Sequence, residues 1–106
     1  MLFSLKRRIK FFYQRLTRGW DDSDTWSMDG TFARMIVPRL ERFNDLKVCH
    51  PVDLTMEEWT TIIDEMIAGF KFYASEDARF EAVGDEFDRA QVGIDLFAKW
   101  YPHLWW

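Results

Sequence analysis

Four aspartates within nine residues, Asp21, Asp22, Asp24 and Asp29, are the first groups in this chain whose type and spacing suit chemistry. Carboxylate oxygens are the preferred ligands of Mg²⁺ and Ca²⁺, so the cluster is a candidate hard-cation site. Its spacing departs from the EF-hand loop: counted from Asp22, the sixth place, which needs glycine, holds Ser27, and the twelfth, which needs glutamate, holds Ala33. Helix capping and an ion pair with a basic neighbour account for the same acids. The reading adopted is that they bind no metal. Cys49 and His50 could form a thiol–imidazole pair, but no third group to orient the imidazole and no oxyanion donors can be named. A di-iron bundle needs Glu-x-x-His pairs, and neither His50 nor His103 has a glutamate three residues earlier. One cysteine and two histidines cannot supply the usual four-ligand zinc site. None of the five glycines falls in a phosphate-cradling pattern. The expectation is a protein that is not an enzyme and carries no cofactor.

Binding is better supported. Trp20 and Trp26 flank the acids, and tryptophan is among the residues that most often anchor interfaces. With Trp100, Trp105 and Trp106, the chain holds more indole than a core of this size encloses. The expected partner site is therefore Trp20, Asp21, Asp22, Asp24, Trp26 and Asp29.

Helices must position these groups. Leu5, Ile9, Phe12, Tyr13 and Leu16 recur at steps of four and three, which predicts an amphipathic helix ended by Gly19. Lys6, Arg7, Arg8, Lys10, Arg15 and Arg18 give residues 1–18 a charge of +6 with no acid, so the rest of the chain carries −10 within a net −4. This block either meets an anionic partner or docks on the acidic remainder of its own fold. One reading makes Lys6, Arg7, Arg8, Lys10 and Arg15 an anion, nucleic-acid or membrane-surface contact; the other is a packing helix with a solvated basic face.

The Asp and Ser residues at 21–29 can cap a second helix, whose stripe Met28, Phe32, Met35, Ile36, Leu40 and Phe43 runs to about residue 44. Pro38 should kink or break it near Arg34. Residues 44–54 read as a connection. Thr55 and Glu58 form a capping box before a third stripe, Trp59, Ile62, Ile63, Met66, Ile67 and Phe70. Ser75 caps a last, long helix with a coiled-coil-like seam of Phe80, Val83, Phe87, Ala90, Ile94, Phe97, Tyr101 and Leu104. Gly84 and Gly93 would mark close approach of helices, or the seam a homo-oligomer contact. The expected fold is all-α: a small antiparallel bundle of about four helices in one domain over 1–106, with the basic helix at 1–18 and the helical core at 24–104.

Apolar residues at 48% and aromatics at 18% exclude a disordered chain. The lone Cys49 suits a reducing cytoplasm. Residues 1–8 lack the long apolar run of an export signal, and no stretch approaches the roughly 20 apolar residues of a membrane span.

The runs WDDSDTW at 20–26, Pro38-Arg39-Leu40, His50-Pro51, Leu54-Thr55 with Glu57-Glu58-Trp59, Asp64-Glu65-Met66-Ile67 and Leu96-Phe97-Ala98-Lys99-Trp100 carry a resemblance. Together they resemble a group of small bacteriophage-encoded helical proteins that has no assigned active site. The resemblance implies a phage accessory protein in the host cytoplasm that acts by stoichiometric binding. Its expected partner is a host protein or signalling molecule, foremost a component of host defence. Alternatives are a nucleotide or nucleic-acid binder using the first helix and exposed tryptophans, or a self-assembling virion protein.

Overall fold

The computed structural model describes residues 2–105 and is helical along most of that length, with no strand among the described residues. Helix α1 spans Leu2–Arg18, a 3-10 turn Asp22–Thr25, α2 Met28–Leu46, α3 Met56–Ala74, α4 Glu76–Glu81 and α5 Gly84–Trp100, before a last 3-10 turn at Tyr101–His103. Trp106, one of the tryptophans expected at the surface, lies outside the described residues.

The all-α bundle follows from the third stripe. Thr55 opens α3 with the expected box: its hydroxyl accepts from the Glu58 amide at 3.1 Å, and its own amide donates to the Glu58 carboxylate at 3.0 Å. Trp59, Ile63, Met66, Ile67 and Phe70 then turn inward as the middle of the core. α2 lies on one side, bringing Phe32 to Phe70 near one end and Phe43 to Trp59 near the other. α5 lies on the other side, bringing Phe97 to Phe70 and Trp100 to Trp59. Both pairings run antiparallel, and α3 is shared between them.

Pro38 does not break α2, which runs unbroken from Met28 to Leu46. A proline removes one backbone donor and crowds the carbonyl four residues back, which bends a helix without having to end it. Here the Arg39 guanidinium donates to the Met35 carbonyl at 2.7 Å one turn back, and Ile36, Val37, Leu40 and Phe43 pack that stretch onto the core. The buried face of α2 also uses Gly30 and Ala33, while Met28 of the expected stripe is exposed.

The long final helix is corrected to two. Ala82 and Val83 are extended, at φ −69°, ψ 144° and φ −101°, ψ 167°, and they separate α4 from α5. β-branched Val83 followed by Gly84 is a weak point for a helix, and both residues are exposed, so burial does little to offset it. The seam therefore starts late, leaving Phe80 86% and Val83 63% exposed. Ala90 and Gly93 are buried, and Ile94 and Phe97 pack against the core. Gly84 has open space beside it and marks no close approach. Gly93 does: a Cβ there would sit 2.3 Å from the Glu65 carbonyl oxygen and 3.0 Å from the Gly69 Cα. Gly69, which the sequence did not single out, is its counterpart on α3.

α1 stands outside this three-helix core. The molecule measures 57 × 35 × 19 Å with a radius of gyration of 17.1 Å. A compact chain of this length would have a radius near 13 Å.

Candidate functional site: an outward-facing amphipathic helix

Gly19 closes α1 at φ +83°, a conformation other residues resist, with its amide donating to the Arg15 carbonyl at 2.9 Å. The turn brings the acidic run back alongside the last three turns of the helix. Asp21 caps the 3-10 turn: its carboxylate accepts from the Ser23 amide at 2.8 Å and from the Ser23 hydroxyl, while Asp24 accepts from the Asp21 amide at 3.1 Å. The same carboxylate, fully buried, pairs with the Arg15 guanidinium. Asp22 is held by Arg18 at 2.7 Å, Gln14 at 2.9 Å and Lys10 at 3.2 Å, and its amide donates back to the Gln14 side-chain oxygen at 2.8 Å.

The two tryptophans join this seat. Arg18 lies over the Trp20 ring at 3.7 Å and Arg7 over Trp26 at 5.8 Å, and Phe11 meets Trp26 edge-on at 5.6 Å. Asp29 accepts from the Ser27 hydroxyl at 2.9 Å and the Gly30 amide at 2.8 Å at the start of α2. The structure thus brings Trp20, Asp21, Asp22, Asp24 and Trp26 together around α1, with Asp29 just beyond. The expected capping and ion pair with the basic helix are both present. Asp21, expected to meet a partner, is closed off from solvent.

The residues that dock α1 are Arg7, Lys10, Phe11, Gln14, Arg15 and Arg18, largely one face of the helix at steps of three and four. The apolar stripe lies on the other side. Leu5, Ile9, Phe12, Tyr13 and Leu16 are 58 to 70% exposed. An ordinary surface helix turns its apolar stripe to the core and its charges to water; α1 is held by its polar face and turns its apolar face out. Lys6 and Arg8 are exposed and form no ion pair among the described residues. Sequence periodicity located the stripe but carried no sign of which way it faces, because that depends on Asp21 and Asp22 holding the opposite side.

The charges of the seat set its pH response. The Ser23 hydroxyl, acting against burial and helped by Arg15, holds the Asp21 carboxyl below its ordinary 3.8. Gln14, then Arg18 and Lys10, bring Asp22 to about 2. Carboxyls depressed in this way stabilise the docked helix above the ordinary value and lose that contribution as pH falls toward 2. Protection of the α1 amides, taken relative to intrinsic exchange at each pH, should fall between about pH 4 and 2, ahead of that in α3. An equal fall in both helices would mean that the seat does not hold α1.

Among the described residues no group of three or more His, Cys, Asp and Glu is placed to hold a metal ion, and no helix is long and apolar enough to cross a membrane. Cys49 is exposed, and His50 Nδ1 lies 2.9 Å from the Pro51 carbonyl oxygen. The chain matches no protein-family model, no curated protein sequence and no solved structure.

Proposed function

We propose that this protein acts by stoichiometric binding rather than catalysis, with α1 as the docking element. The supporting observation is the outward stripe of Leu5, Ile9, Phe12, Tyr13 and Leu16, presented on a helix fixed from behind. A 17-residue helix is marginal alone in water. Here the Asp21 and Asp22 contacts hold it formed, which lowers the ordering cost of binding. Apolar anchors at steps of three and four are read by a partner groove, and Lys6 and Arg8 favour acids at its rim. Together with the resemblance to small phage proteins, this supports a phage accessory factor that occupies a groove on a component of host defence. The Trp20–Asp29 segment then serves to orient α1.

The nucleic-acid alternative has less charge to use than the sequence suggested. Lys10, Arg15 and Arg18 are already paired with Asp21 and Asp22. Phosphate binding depends on the number of free cations, which leaves mainly Lys6, Arg7 and Arg8.

Ile9→Asp/Phe12→Asp tests the proposal. Both side chains are exposed, so the melting temperature should move little. A phage encoding this variant should lose plating efficiency to the same degree as a deletion of the gene, and only on a strain that carries the defence. Equal plating of variant, deletion and wild type on defended and undefended strains would remove the proposal.

A further inference from the structure

A second surface is left uncovered at the α4–α5 corner, and it is opposite in charge to α1. Phe80 is 86% and Val83 63% exposed, an unusual position for two apolar residues so close in sequence. Around them Asp77, Glu81, Asp85, Glu86 and Asp88 are exposed and make no ion pair among the described residues. Residues 76–89 hold six acids and two arginines. The outward side of α1 is the complement, an apolar stripe bordered by Lys6 and Arg8. One molecule therefore carries both halves of a matched contact, and leaves both open because its own α1 is tied to Asp21 and Asp22.

We propose that in the free protein α1 of one copy lies on the α4–α5 corner of a second copy, and that the exchange is reciprocal. The proposal rests on α1 as the docking face and names what covers it. Pairing of α1 with α1 is disfavoured by charge, since the helix has six cations and no acid. An anionic bilayer would meet Lys6 and Arg8, but it would also draw close a body that carries −10. The acidic corner has neither difficulty, and the contact covers Phe80 and Val83 as well as the α1 stripe. Reciprocity follows from symmetry: one-way exchange leaves a free α1 at one end and a free corner at the other, and grows into filaments. Two-way exchange closes as a dimer and buries two copies of the contact. That helps reach the roughly 1,200 Å² a stable interface needs.

Paired charge reversals test this with full-length protein. Light scattering behind size exclusion should give wild type twice the mass of one chain in the micromolar range, shifting toward one chain as salt screens the rim charges. Lys6→Glu/Arg8→Glu and, separately, Glu81→Lys/Asp85→Lys/Asp88→Lys, which turns residues 76–89 from net acidic to net basic, should each weaken the dimer roughly 100-fold, because like charges then face one another. An equimolar mixture of the two variants should recover the dimer, since each acidic α1 then meets a basic corner and each basic α1 an acidic one. Recovery on mixing also shows that both variants are folded. A monomeric wild type would overturn the inference, as would a dimer that neither variant weakens or a mixture that stays monomeric. A monomeric wild type that binds vesicles containing phosphatidylserine would assign α1 to lipid instead. If wild type is monomeric while Ile9→Asp/Phe12→Asp still mimics the gene deletion, the docking role of α1 stands and only its occupant here is wrong. If the dimer behaves as expected while that variant plates like wild type, the functional reading fails and the dimer stands.

Discussion

Replacing Gly93 by alanine is expected to lower the melting temperature by roughly 8–16 °C. The added Cβ would lie 2.3 Å from the Glu65 carbonyl oxygen and 3.0 Å from the Gly69 Cα. Both obstacles are backbone, so no side-chain rotation relieves them and α5 must move away from α3. Alanine recovers about 1 kcal/mol of helix propensity, which is too little to offset overpacking of about 3 kcal/mol where α5 meets α3. Gly69→Ala should act similarly, since its Cβ would meet the Ala90 carbonyl oxygen at 2.7 Å. Gly84→Ala is the control. Nothing lies within 4 Å of that position, and alanine there should leave stability unchanged or slightly raised. Thermal unfolding of the three variants by circular dichroism checks the set. A Gly93→Ala protein that melts with the wild type would mean that the two helices do not meet at these glycines.

The second large effect is structural and confined to one end. Asp21→Ala removes the carboxylate that accepts from Ser23 and pairs with Arg15, and it removes the cap of the 3-10 turn with it. Asp22 and the Trp20 and Trp26 rings then hold α1, with contacts that are solvent-exposed and individually weak. The apolar stripe faces water, so Phe11 against Trp26 is what apolar contact the helix keeps. Backbone amides over residues 2–18 should exchange close to the rate of an isolated helix of that length, while those of Ile63, Met66 and Ile67 keep their protection. Retained protection in α1 would show that the helix is held by something other than this seat.

How much of this was legible in the sequence depended on the range of the interaction. The Thr55–Glu58 box spans three residues and was read correctly, as were the α3 stripe and the closing role of Gly19, since each is a local pattern with a local cause. The ion pairing between the acidic run and the basic helix was also accessible, because two oppositely charged blocks are joined there by Gly19 and Trp20. The break at Ala82–Val83 was not visible. Phe80, Val83 and Phe87 keep a three-four rhythm across it, and a rhythm of apolar residues does not say whether the backbone between them stays helical. The Gly69–Gly93 contact was out of reach for a different reason: a glycine shows its purpose only when the opposing helix is known. The orientation of α1 lies between these cases. Its two faces can be drawn from residues 5–16, but which of them meets water is decided by Asp21 and Asp22, whose residue types alone equally suit a binding site.

The shared position of α3 has a consequence for the order of assembly. α1 and its acidic seat form a unit from the first 26 residues, and none of the residues that bury the core belongs to it. The core, by contrast, pairs α3 with α2 across residues 47–55 and with α5 across residues 75–83, so both pairings are local in the chain. Such short-range topology favours rapid folding. Collapse can begin on either side of α3 without waiting for the N-terminal helix. Substitutions in α1 should then leave the folding rate of the bundle untouched.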